Sequence, residues 1–220
     1  PLYTGGNACL ESNRFIEALE FYTLALEVAR EHGDSHDVAG LSANIGVIYS
    51  IFHDYGKATH YFLKSFDELH KHPDENIMPV VLANLVNSYS KLGQPQEARK
   101  FLKLQAQFPL PEAGVHQYHI YYNQGVIAEA EGNHAGNLFY QRKALDVIDA
   151  HGYSDLMKTD VLEQMGIAYE QLGRRDAALS AYKEMLSLSE KGGYVFQVNE
   201  ACGRIADLLR QDGKLDSAAY

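Results

Sequence analysis

The sequence predicts an all-α fold, a solenoid of about six helical hairpins, and three observations predict it. The first is a repeat. Gly46-Val-Ile-Tyr49 aligns with Gly166-Ile-Ala-Tyr169. Val86-Asn-Ser-Tyr89 and Gly125-Val-Ile-Ala128 fall between them, with Gly6-Asn-Ala-Cys9 and Ala206-Asp-Leu-Leu209 outside. Leading residues at 6, 46, 86, 125, 166 and 206 give intervals of 40, 40, 39, 41 and 40. The second is a parallel column with the same intervals: Ala18, Ala58, Ala98, Asn137, Ala178 and Ala218. The third is helical periodicity in both halves of the unit, with no strand alternation. A period in this range is the mark of stacked repeats, which more often form binding surfaces than enzymes.

The elements follow from the breaks. His32-Gly33-Asp34-Ser35, His72-Pro73-Asp74-Glu75, Phe108 to Gly114, His151 to Ser154 and Lys191-Gly192-Gly193 recur with the period. Gly and Pro stop helices there, and the Ser or Asp that follows can cap the next one. These breaks set units at 1–33, 34–73, 74–112, 113–152, 153–192 and 193–220, the first and last incomplete. A shorter break divides each unit: Asn13, His53-Asp54, Leu92-Gly93, Glu131-Gly132-Asn133, Leu172-Gly173 and Asp212-Gly213. Each unit is therefore two helices of roughly 15 to 18 residues joined by a tight turn. In first helices, Leu82, Leu85, Val86 and Tyr89 share a face, as do Leu162, Met165, Gly166 and Tyr169. In second helices the equivalent faces are Ala58, Tyr61, Phe62, Phe66 and Ala178, Tyr182, Met185, Leu186. The Gly/Ala columns mark close helix approach, and the aromatic columns fill the space beside it.

Composition narrows function. A formal charge of −10 argues against a nucleic-acid surface, which needs clustered cations. An acidic surface keeps the protein soluble or attracts a basic partner segment. Cys9 and Cys202 lie almost five repeats apart, beyond disulfide reach, in columns of small or apolar residues, so both read as buried hydrophobes. So few cysteines favour a reducing, cytoplasmic compartment, although a periplasmic one is also compatible. No stretch approaches the ~20 apolar residues of a membrane span. The chain starts at Pro1 without methionine and reads as a fragment that begins within one helix and ends within another.

Small-x-x-aromatic in the first helix, Gly near the turn and Ala-x-x-x-aromatic in the second make the chain resemble the tetratricopeptide repeat. Met165-Gly166-Ile-Ala-Tyr169, with Gly173, Ala178 and Tyr182 following, is the closest segment, and the resemblance covers nearly the whole chain. It implies a right-handed α-solenoid. The period exceeds that family's usual 34, and its Pro at the end of the second helix is absent, so both helices should be longer. Long repeats of this kind are similar to those of kinesin light chains, polarity-complex adaptors and bacterial peptide-sensing regulators. Unit four departs most: Asn137 and Gln141 stand for Ala and an aromatic, and Ala128 for Tyr. Polar residues in packing columns predict a looser layer, or a local bend, there.

In the family the first helices line a concave groove. Two residues before the Gly column stand Thr4, Asn44, Asn84, Asn123, Gln164 and Arg204. The resemblance implies that this amide ladder grips peptide backbone, because a carboxamide offers both donor and acceptor. The same residues could instead brace neighbouring helices. Asn87 lies on this face. His119 and Tyr122 supply an anchor, with Tyr118 nearby and Tyr121 in the core. Towards the C-terminal half the groove is acidic, with Glu129, Asp160, Glu163, Glu170, Glu200 and Asp207 against Arg204 and Arg210, which suits a cationic partner segment. Ala43 and Ala83 stand where chaperone-tail binders of the family carry carboxylate-holding residues, and this excludes that role.

Ten histidines are present, but neither His116/His119 nor His70/His72 has further ligands at zinc spacing, so no metal or cofactor is expected. No nucleophile elbow, phosphate loop or metalloprotease motif occurs. The expectation is a non-enzymatic protein- or peptide-binding module, the regulatory or scaffolding segment of a larger protein. The alternatives are a sensory domain of a bacterial transcription regulator or membrane-tethered signalling protein, and self-association through terminal repeats.

Overall fold

A computed structural model describes residues 2–108 and 112–211. It contains eleven helices among those residues: α1 Leu2–Glu11, α2 Phe15–His32, α3 Ser35–Ile51, α4 Tyr55–Lys71, α5 Ile77–Lys91, α6 Pro95–Gln105, α7 Ala113–Ala130, α8 His134–His151, α9 Asp155–Gln171, α10 Arg175–Gly192 and α11 Val195–Gln211. The chain divides into two compact units, Pro1–Pro111 and Glu112–Tyr220, at the boundary between the third and fourth repeats. Within each, a first helix pairs with its own second helix and that second helix packs on the next first helix. The predicted break at Asp212-Gly213 and the column residue Ala218 lie outside the described residues.

The tight turns are uniform. Asn13, His53, Gly93, Gly132 and Gly173 all adopt positive φ, between 57° and 75°. Glycine and asparagine enter this left-handed region readily, whereas His53 holds it against its own Cβ. Three helices start on a side-chain cap: Asp34, Asp54 and Asn133 accept from the backbone N–H of Asp37, Lys57 and Gly136 at 3.1, 3.1 and 2.9 Å. Most helices have the expected length. The short ones are α1, in the incomplete first unit, at 10 residues and α6 at 11 residues. Pro109 and Pro111 follow α6 closely in sequence, and a residue before proline is pushed out of helical geometry.

The glycine columns work as read. A Cβ on Gly46 would come within 2.6 Å of the Phe62 ring, and Gly6 and Gly166 meet the rings of Tyr22 and Tyr182 in the same way. Those three rings are fully buried. The fourth repeat uses the same slot differently, with the Gln141 carboxamide lying over Gly125. Nor is the layer loose. Asn137 and Gln141 are fully buried. Asn137 Nδ2 donates to Glu129 Oε2 at 2.9 Å and to the backbone carbonyl of Gln164 at 3.2 Å. Gln141 Nε2 donates to the carbonyl of Tyr122 at 3.2 Å. The predicted loosening is corrected to a polar staple joining α8 to α7 and α9.

Cysteine burial is half right. Cys9 is buried, but Cys202 is exposed, and both are free thiols. In earlier units this column, at Leu82 and Leu162, is buried. α11 has no second helix among the described residues to cover it.

Candidate functional site

The inner faces are built from first helices, and their side chains meet by a fixed offset. In the N-terminal unit Asn44 Nδ2 of α3 donates to the hydroxyl of Tyr3 on α1, 41 residues away, at 3.5 Å. In the C-terminal unit Arg204 of α11 meets Glu163 of α9 at 3.4 Å, again 41 residues apart. The residue two before the Gly column thus faces the residue three before it in the preceding repeat. Applied to α3 and α5, which also touch, this offset sets Ala43 opposite Asn84. Alanine has nothing to offer a carboxamide. Asn84 and Asn87, both half-buried on α5, make no side-chain hydrogen bond among the described residues. Two amides on one helical face are therefore left with open donors and acceptors.

The C-terminal unit differs. Asn123 and Gln164 are each only 2% exposed, so these two predicted ladder residues lie within the helix packing rather than open on its surface. His119 and Tyr122 are half-buried. Tyr118, sequence-read as a groove residue, is core: it is 3% exposed, its hydroxyl reaches the carbonyl of Met157 at 3.5 Å, and its ring stacks on Tyr122 at 5.9 Å. Tyr121 packs partly buried against the same cluster, close to its expected place. Burial, then neighbouring His116, pulls the His119 pKa down to about 4, so its imidazole is neutral at pH 7.

The acidic residues have unequal surroundings. Glu163 is matched by Arg204, whose guanidinium also interacts with Glu170 and Glu200. Glu170 accepts a short hydrogen bond from the Tyr182 hydroxyl. Glu129 is held by His134 Nδ1 at 2.9 Å and by Asn137. Asp207 is exposed and paired with Arg210 at 2.8 Å, so it is a surface ion pair. Asp160 has neither donor nor cation among the described residues. Burial, then the charge of Glu163, raises its pKa to about 7. The signal was in the sequence: one helical turn either way from Asp160 lie Leu156, Met157, Glu163 and Gln164, none of them basic. Asn137 and Gln141 were noticed as departures, but their role needed the helix arrangement.

Among the described residues no group of three or more His, Cys, Asp or Glu is gathered to hold a metal ion. Among the described residues no helix is long and apolar enough to cross a membrane.

Stacked hairpins with a glycine slot and a first-helix inner face define a helical-repeat solenoid. A tetratricopeptide-repeat family model matches residues 161–193, and the fold is that of tetratricopeptide-repeat solenoids. The chain is similar to a Rap protein complexed with competence and sporulation factor, with TM-score 0.75, 16% identity, and coverage of 99% of this chain and 65% of that one. It is also similar to NprR in complex with its cognate peptide NprX, with TM-score 0.74, 19% identity, and coverage of 100% and 62%. Kinesin light chain TPR-like repeats from Podosopora anserina give TM-score 0.54 at 13% identity, with coverage of 87% and 94%. The chain thus spans less than two thirds of the first two proteins. No curated protein sequence matches it significantly.

Proposed function

We propose that the chain is a non-catalytic recognition module that holds an extended peptide or partner segment against its first helices, as the regulatory or scaffolding part of a larger protein. The observation that carries this reading is the half-buried amide pair Asn84 and Asn87, neither hydrogen-bonded among the described residues, whereas in the preceding repeat Asn44 is closed by Tyr3. A half-buried carboxamide without an internal partner gains most from a ligand that supplies one, and a peptide unit supplies both halves. The solved Rap and NprR complexes, which share the fold, contain a factor and a peptide respectively, and this supports the reading. Tyr122 and His119 would add an aromatic anchor in the C-terminal unit.

To test it, the chain is immobilised and challenged with a mixed-sequence peptide library, alongside Asn84→Ala/Asn87→Ala. Retained peptides should bind the variant about thirtyfold more weakly, from two lost hydrogen bonds of ~1 kcal/mol each, with no change in melting temperature. Equal retention by both proteins, or a loss that tracks a fall in stability, overturns it.

A second reading is a sensory segment within a bacterial transcription regulator or membrane-tethered signalling protein. It is supported by the alignment along most of Rap and NprR. The complete reading frame decides: a DNA-binding or signalling domain in it favours this version, and a lone repeat array removes it.

A further inference from the structure

Asp160 is the most unusual charged group in the C-terminal unit. It sits half-buried on α9, one turn before Glu163 and Gln164. Its neighbour across to α7 is Tyr118, whose ring lies 4.9 Å from His119 and stacks on Tyr122. Counted from the glycine column, Asp160 stands six before Gly166 and Tyr118 seven before Gly125, which is the two-against-three pairing moved one turn earlier, and the Tyr118 hydroxyl does reach α9. The Tyr118 hydroxyl is directed elsewhere, to the carbonyl of Met157. Tyr118 itself is core, and the half-buried Tyr122 ring stacked on it supplies the aromatic face, which attracts cations.

We propose that Asp160, beside the Tyr118–His119–Tyr122 cluster, is the seat for an alkylammonium or guanidinium group carried by the bound segment. This rests on the peptide-binding reading above and adds the chemistry of the ligand. Removing a carboxylate from water without a donor or cation is costly, and every other acid on this inner face of α9 has such a partner: Glu163 has Arg204 and Glu170 has Tyr182. Among the described residues, the cations of α9 and α11 nearest to it are engaged elsewhere. Lys158 of α9 is turned to Asp149 of α8 and Glu184 of α10, and Arg204 of α11 is shared by Glu163, Glu170 and Glu200. His119 is neutral. The groups facing Asp160 are thus Tyr118, with His119 against its ring, and Glu163. A cation entering there meets net negative charge and aromatic faces. Its arrival also draws the proton from Asp160, whose pKa stands near 7, so binding tightens as pH rises through neutrality.

The test uses the full 220-residue chain and three pentapeptide amides of alanine with a variable central residue: acetylated with lysine, acetylated with norleucine, and norleucine with a free amino terminus. Carboxyl carbon NMR follows the Asp160 resonance, identified by its loss in Asp160→Asn. The lysine peptide should shift that resonance, lower its titration midpoint and bind about tenfold or more tighter than acetylated norleucine. Asp160→Asn, or Asp160→Ser should the amide disturb the helix, should bring the two affinities together. A response to the free-amine peptide alone assigns the cation to a chain terminus rather than a side chain. An unmoved resonance, or an unchanged lysine preference in a folded Asp160 variant, overturns the seat even if Asn84→Ala/Asn87→Ala still weakens binding. A seat that responds while the amide variant binds normally upholds it and rejects the amide clamp.

Discussion

The hairpins α7/α8 and α9/α10 share a backbone plan and fill its central slot with opposite chemistries. In α9/α10 the Tyr182 ring lies over Gly166, buried among Leu162, Met185 and Ala201. In α7/α8 a glutamine lies over Gly125, and Asn137 replaces the small residue beside it. The aromatic version gains by removing apolar area from water, and its hydroxyl finds Glu170. The amide version exchanges that area for hydrogen bonds to two backbone carbonyls and Glu129, and leaves Asn137 Oδ1 and Gln141 Oε1 buried without partners. Orphaned acceptors cost more than a made bond returns, so the polar slot should be the weaker one.

The largest effect comes from emptying the slots. Tyr182→Ala should lower stability by about 3–5 kcal/mol, as for other buried aromatics, and Gln141→Ala by clearly less, read from urea midpoints at constant m-value. Equal losses would mean that the amide layer carries as much of the fold as the ring. A smaller change follows from converting one slot into the other. Asn137→Ala with Gln141→Phe should stabilise the chain by about 1 kcal/mol, because Gln141 lies over Gly125 as the Phe62 ring lies over Gly46 and both orphaned oxygens disappear. Destabilisation would show that the staple's bonds outweigh its orphans.

The smallest effect separates satisfied from unsatisfied acids. Glu129 of the polar hairpin has two donors, whereas Asp160 of the aromatic one has none among the described residues. A carboxyl whose folded pKa is near 7, against about 4 unfolded, binds its proton more tightly when folded. Its contribution is therefore full below about pH 4 and lost as pH rises to 7. Stability of the native chain should fall over that window by more than that of Asp160→Asn, and thermal melts at pH 5 and 8 check it. Parallel pH profiles would place Asp160 in water.

Much of this was legible from residue spacing. The Gly and Ala columns located the close approaches, and the turn residues located the hairpins, because both are local requirements of backbone geometry. What spacing could not show was satisfaction. Asn137 and Gln141 looked like defects in a packing column, since their acceptors are main-chain carbonyls 27 and 19 residues away. Asn44 and Asn84 looked equivalent, but whether an amide is closed depends on Tyr3 or Ala43 in the preceding repeat. Cys202 matched a buried column whose cover belongs to a second helix.

Because the contact between successive first helices advances 41 positions against a repeat of about 40, each hairpin carries half of one pairing and half of the next. Cutting and rejoining the array at its loops would therefore scramble the lock between neighbours even when every grafted hairpin is intact. Whoever shuffles these modules must transplant the three-before residue of one together with the two-before residue of its successor.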